Sequence, residues 1–114
     1  MSKLNLHVGT MEDMGERFIS AWTRAEAGED FQERHLTFPS WEELTAALTP
    51  KRLELLRHLH REGADSINAL AKTLNRDYKN VHEDVTVLEG AGLIVRDGNR
   101  LSAPWDTVTA EMAL

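Results

Sequence analysis

The chain has 114 residues, a formal net charge of −6, 41% hydrophobic residues and 28% charged residues. That length suits one domain or a small domain with an appendage, and the composition is that of a globular protein, not a disordered one. Cysteine is absent, which excludes a disulfide framework and thiolate metal sites, and no apolar run is long enough to cross a bilayer.

With no secretory leader read ahead of the first helix, a cytoplasmic protein is expected. The acidity is uneven. Residues 1–50 carry four Lys/Arg against nine Asp/Glu (−5), and residues 51–114 carry nine against ten (−1). A strongly basic surface is therefore excluded, while a near-neutral C-terminal half leaves room for a cationic face.

In chain order, Leu4-Asn5-Leu6-His7-Val8 alternates apolar and polar residues and predicts a short strand. Thr10 is a candidate cap for a helix over about Met11–Ala27, with Met11, Met14, Phe18, Trp22 and Ala25 on one stripe and Glu12 and Asp13 in its first turn. A second strand is expected at Arg34–Phe38. Ser40 and Glu43 form a capping-box pattern before a short helix, Trp41–Leu48. Thr49-Pro50 opens the next helix, with Leu53, Leu56 and Leu59 turned inward and Gly63 as its stop. Ser66 caps a helix in which Ile67, Leu70, Ala71 and Leu74 follow helical spacing without a gap.

Asn75-Arg76 make a turn, and Asp77 caps a further helix, Tyr78–Glu89, with Val81, Val85 and Leu88 inward and Gly90 and Gly92 ending it. Leu93–Arg96 and Arg100–Ala103 flank Asp97-Gly98-Asn99, which predicts a hairpin. The last residues place Val108, Ala110, Met112 and Leu114 on one side. A terminal strand is the preferred reading and a frayed helix the alternative.

Two helices joined by a tight turn and followed by a hairpin are the parts of a winged helix-turn-helix, in the right order. The expected class is α+β: an N-terminal strand-helix-strand and short helix at 1–48, the winged helix-turn-helix at 49–106, and a C-terminal strand at 107–114. Duplex DNA is the ligand this order of parts suggests. The second helix would present Tyr78, Lys79, Asn80, His82, Glu83 and Thr86 to the major groove. Asn80 suits adenine, and Lys79 suits guanine or a phosphate. Lys72 and Arg76 would clamp the backbone, and Arg96, Asn99 and Arg100 at the hairpin tip would reach phosphates or the minor groove. Glu83 and Asp84 oppose this reading, because exposed carboxylates repel phosphates. The plain alternative is a set of solvated polar positions on a small helical domain.

Arg76-Asp77-Tyr78-Lys79-Asn80-Val81-His82, followed by Asp84-Val85, resembles the recognition helix of small prokaryotic MarR-like winged-helix regulators of the antitoxin type. Leu48–Leu56, Gly92-Leu93-Ile94, Pro104-Trp105-Asp106 and the Ala21–Gly28 segment fit the same group, so the resemblance covers nearly the whole chain. It implies a DNA-binding transcriptional regulator, in some members the antitoxin partner of a toxin, with Arg76, Tyr78, Lys79, Asn80 and His82 as readers. One departure is Glu83, where similar sequences often carry a basic residue.

No catalytic centre, cofactor or metal site is expected. His58 and His60 are two apart on a helix and point in different directions, and His7, His35 and His82 have no ligand partner at convincing spacing. The strand-helix-strand piece is too small to bury a core alone, so it and the C-terminal strand are expected to build a dimerisation sheet with a second copy; homodimers are also the usual state of winged-helix readers. The rival expectation is a protein-interaction module whose acidic N-terminal half docks on a basic partner such as a toxin. Convergence of Lys72, Arg76, Lys79, Arg96 and Arg100 on one face would favour DNA, and their dispersal the rival.

Overall fold

Local capping chemistry sets most of the helix boundaries in this mixed α+β protein. The computed structural model describes residues 2–9, 32–112 and 114. The helix expected over Met11–Ala27, its Thr10 cap and its apolar stripe lie outside them. The described elements run β1 (Ser2–Val8), β2 (Gln32–Phe38), α1 (Trp41–Ala47), α2 (Pro50–Arg61), α3 (Ile67–Leu74), α4 (Tyr78–Gly90), β3 (Val95–Asp97), β4 (Arg100–Ser102) and β5 (Thr107–Met112). They fall into two compact units, Met1–Thr45 with Trp105–Leu114, and Ala46–Pro104.

In the first unit three strands form a parallel sheet in the order β2-β1-β5. The final segment is therefore a strand, not a frayed helix. The register aligns Leu4 with Arg34 and Val108, Leu6 with Leu36 and Ala110, and Val8 with Phe38 and Met112. Because side chains alternate along a strand, these residues share one face, apolar except for Arg34. The Arg34 guanidinium lies 5.8 Å from the centre of the Trp105 ring.

The opposite face is polar. Across it the Thr109 hydroxyl donates to Asn5 Oδ1 at 2.6 Å, and His7 Nε2 lies 2.7 Å from His35 Nδ1 with the rings stacked. At the start of β1, Asp106 accepts from the Ser2 backbone N–H at 2.9 Å and ties the two chain segments together.

In the second unit the helix caps fall where the sequence places them. Thr49 accepts from the Arg52 N–H with Pro50 in the first turn, Ser66 accepts from Ala69, and Asp77 accepts from Lys79. Just upstream, Ser40 accepts from the Glu43 N–H at 3.2 Å. The C-terminal ends are equally specific. Asn75 closes α3 in the left-handed region (φ 53°), with its own N–H on the Lys72 carbonyl and that of Arg76 on Ala71. Gly92 (φ 88°) closes α4 in the same way, with Leu93 bonding back to Leu88. Both are Schellman closures, so Gly92 is the stop and Gly90 is the last helical residue.

The core of this unit is Leu55, Leu59, Leu70, Val81, Val85, Leu88, Leu93 and Leu101, each at most 1% exposed. Complete burial of one such side chain stabilises by about 1.5–3 kcal/mol. Two expectations are corrected. The inward stripe of α2 is Leu55–Leu59 with buried His58, while Leu53 and Leu56 are only half-buried. Leucines at 53, 55, 56 and 59 satisfy two overlapping helical stripes, and packing selects one. Leu93 and Ile94 are buried but lie outside the strand, which starts at Val95. The hairpin turns through Gly98 (φ 62°) and Asn99, with the sign pattern of a type II′ turn.

β4 is also held from its other side. Ala64 and Leu101 exchange backbone hydrogen bonds of 3.0 and 2.7 Å, joining the hairpin to the segment after α2. Gly63 makes that approach feasible. Its φ is +69°, and a Cβ there would sit 2.7 Å from Arg100 Nη2 and 3.2 Å from the Leu101 carbonyl oxygen. Gly63→Ala should therefore lower stability by about 1–3 kcal/mol in urea denaturation, whereas Asn75→Gly, also left-handed, should stay within about 0.5 kcal/mol of the parent.

Candidate functional site

α4 is two-sided. Val81, Val85 and Leu88 are fully buried, while Tyr78, Lys79, Asn80, His82, Glu83 and Thr86 are exposed. Tyr78 is 50% exposed, and its ring lies 5.8 Å from that of His82, one turn on. The Thr86 hydroxyl is turned back onto the His82 carbonyl at 2.8 Å. Neither Lys79 nor Glu83 forms an ion pair with the other or with any other described residue. The outer face thus offers one free cation, one free carboxylate, a carboxamide and two rings.

Asp84 is not on that face. It is 9% exposed and accepts from two guanidinium groups, Arg52 Nε at 2.9 Å and Arg76 Nη2 at 2.8 Å. Arg52 also donates from Nη1 to the Ala46 and Ala47 carbonyls at 3.0 and 3.3 Å, the last of the α1 backbone. One carboxylate therefore links α2, α4 and the turn between α3 and α4. This corrects two expectations. Asp84 does not repel a ligand from the surface, and Arg76 is committed to an internal pair rather than free to clamp a backbone. The signal was present: Asp84 falls at i+3 from Val81 and i−4 from Leu88, on the apolar stripe itself.

Arg76 still reaches a surface feature. An open cleft of about 510 Å³ is lined by Asn68, Ala71, Lys72, Asn75, Arg76, Asp77 and Tyr78. The Arg76 Nη1 atom is buried with no hydrogen-bond partner among the described residues. Lys72 is exposed and free of described ion pairs, so the cleft combines one free ammonium, two carboxamides and a phenol at the mouth of α4. Asn68 and Asn75 were missed by the sequence reading. Their spacing from Lys72, four residues before and three after, was the available clue.

The hairpin cations are also committed. Arg96 donates to both Glu89 carboxylate oxygens at 2.8 and 3.1 Å. Arg100 donates to Asp65 at 2.7 Å and to the Glu62 carbonyl at 3.2 Å. Asn99 is exposed at the turn. Of the five cations expected to form one surface, Lys72 and Lys79 are unpaired, while Arg76, Arg96 and Arg100 each hold a carboxylate of the protein. The hydrogen bonds from Arg96 hold the Glu89 carboxyl below the usual glutamate value.

The chain matches the HVO_A0114 family over residues 47–110 and belongs to it. The matched stretch takes in the last residue of α1, all of α2, α3 and α4, the hairpin and the first four residues of β5. No curated protein and no solved structure matches the chain. Among the described residues no helix is long and apolar enough to cross a membrane, and no group of three His, Cys, Asp or Glu side chains is placed to hold a metal ion.

Two outcomes test this arrangement. Asp84→Asn should destabilise the protein by about 2–4 kcal/mol in chemical denaturation, since it leaves two guanidinium groups facing a neutral amide. Conversion of Arg52, Arg76 and Asp84 together to apolar residues of similar volume should cost less than that single change. The Glu89–Arg96 pair gives a pH signature. A folded-state pKa below the unfolded one adds stability above the ordinary glutamate range, and that stability is lost as pH falls through the depressed value. Glu89→Gln should remove this component, so parent and variant curves should converge at the acid end and separate at neutral pH. The gap should be small, as for any exposed pair.

Proposed function

We propose that residues 50–106 form a winged helix-turn-helix that binds duplex DNA sequence-specifically, and that the protein is a dimeric transcriptional repressor of the MarR-like, antitoxin type. In this reading α3 and α4 are the helix-turn-helix pair, α4 is the recognition helix, and β3–β4 is the wing. The observation that carries it is the outer face of α4. Six polar or aromatic side chains are exposed there over nine residues, beside a cleft that ends in a free lysine. Asn80 would read an adenine edge and Lys79 a guanine or a phosphate. Lys72 would hold the backbone, with Tyr78 and His82 against sugar or a thymine methyl, and Asn99 at the wing. Repression follows by occlusion: the bound dimer covers an operator, and binding of a partner or effector releases it. The setting is cytoplasmic.

A second reading is favoured by the internal pairing of Arg76, Arg96 and Arg100 together with the net charge of −6. It makes the chain a protein-interaction module, with its acidic N-terminal half docked on a basic partner such as a toxin. Few free cations mean few phosphates neutralised, so the DNA reading requires a shallow salt dependence.

Binding to the DNA upstream of the gene, measured at two salt concentrations, separates the two. Lys79→Ala should weaken binding across all sequences and reduce the salt slope by about one, while Asn80→Ala should cost about 1–3 kcal/mol on the preferred site and relax specificity. Arg76→Ala should lose stability rather than merely a contact. No binding at low salt by the folded parent chain would overturn the DNA reading and leave the interaction module.

A further inference from the structure

Among the described residues β5 is an edge strand, and its apolar row is exposed. All six of its residues are exposed, Val108 at 44% and Met112 at 42%, although its inner neighbour β1 holds Leu4 and Leu6 at no more than 1%. The sheet is wholly parallel, a type that is ordinarily buried on both faces. Edge strands are usually protected by lysine, proline, a bulge or a covering segment. In sequence, β2 at the other edge carries Glu33, Arg34 and His35. β5 has neither proline nor a basic residue, and Glu111 is its single charge. The apolar face of the sheet runs outward through Val108, Ala110 and Met112 and stops at solvent.

We infer that the occupant of this edge is β5 of a second copy, paired antiparallel about a two-fold axis normal to the sheet at Ala110. The sequence of the strand selects this register. With Ala110 opposite its own mate, Val108 meets the partner's Met112, and Thr109 meets the partner's Glu111, so apolar pairs stay on the apolar face and polar pairs on the polar face. A register one residue away would set the apolar row of each strand against the polar row of the other. Centring on Glu111 would juxtapose two carboxylates, which is repulsive. Centring on Thr109 would place Met112 against Asp106. Of the registers that keep the apolar rows together, the Ala110 one avoids both mismatches, and it extends both faces over six strands, β2-β1-β5 and their mates.

The inference deepens the dimeric reading given above and rests on it only in that two copies associate; it is independent of DNA binding. A contact confined to one six-residue strand lies at the small end of interfaces, so a dissociation constant of about 1–10 µM is expected.

The natural absence of cysteine makes a covalent test clean. Ala110→Cys, treated with diamide, should form a disulfide-linked dimer, since directly opposed Cα atoms lie about 4.5–5.5 Å apart. Thr109→Cys should not, because its mate lies diagonally across, about 8 Å away. Val108→Lys with Met112→Lys, checked for unchanged far-UV circular dichroism, should weaken the dimer at least about tenfold in sedimentation equilibrium. A parent chain monomeric at 100 µM (about ten times the weakest constant expected) would overturn both this inference and the dimeric reading. A parent dimer unaffected by the lysines, or equal crosslinking at both positions, would overturn the edge pairing alone.

Discussion

Two guanidinium groups from different parts of the second unit converge on the Asp84 carboxylate, and the placement of α4 depends on them. Arg52 arrives from the first turn of α2, with its Nη1 donating to the last two carbonyls of α1. Arg76 arrives from the turn that α4 grows out of. A carboxylate this far from water is costly unless its oxygens are filled, and here each accepts from a different arginine. The arrangement is specific rather than strongly stabilising in itself. An apolar trio could match its energy, but would not tie α4 to both α2 and the preceding turn through one residue, as a carboxylate with two acceptor oxygens does. With Asp84 turned inward, Tyr78, Lys79, Asn80 and His82 are turned outward.

The same pairing rules govern the cations. Arginine is favoured where a carboxylate can be met by a planar fork, and Arg76, Arg96 and Arg100 have each found one within the chain, the last two at the surface. The two lysines, point charges on flexible stems, remain in solvent. For the proposed DNA-reading face this means little phosphate neutralisation, with discrimination resting on Asn80 and its neighbours more than on charge. It also orders the hairpin: the Arg96–Glu89 and Arg100–Asp65 pairs tie β3 and β4 to the helical body, and the Ala64–Leu101 backbone bridge holds them from the other side.

The parallel sheet of the first unit separates its chemistry by face. Alternation puts leucine, valine and phenylalanine on one side and Asn5, His7, His35, Thr37 and Thr109 on the other, where Asn5 bonds Thr109 and His7 bonds His35 across strands. β5 extends both rows to an exposed edge. In the proposed dimer, a self-complementary strand at such an edge would supply the two-fold symmetry that a reader of palindromic half-sites requires.

Among the described residues, local signals in the sequence determined the helices, their caps and the existence of the hairpin, because the side chains of Thr49, Ser66 and Asp77, and Asn75, Gly63 and Gly92, act within a few residues of themselves. They also determined the exposed set on α4, since Val81, Val85 and Leu88 leave only one way to turn that helix. Tertiary structure alone decided which leucines of α2 face inward, that the last strand pairs with the first, and where each arginine ends. Those outcomes join residues separated by 8, 32 or about 104 positions, as in Arg76–Asp84, Arg52–Asp84 and Asn5–Thr109. Periodicity reports the environment a side chain needs. Which partner supplies that environment is fixed only when distant segments meet in space.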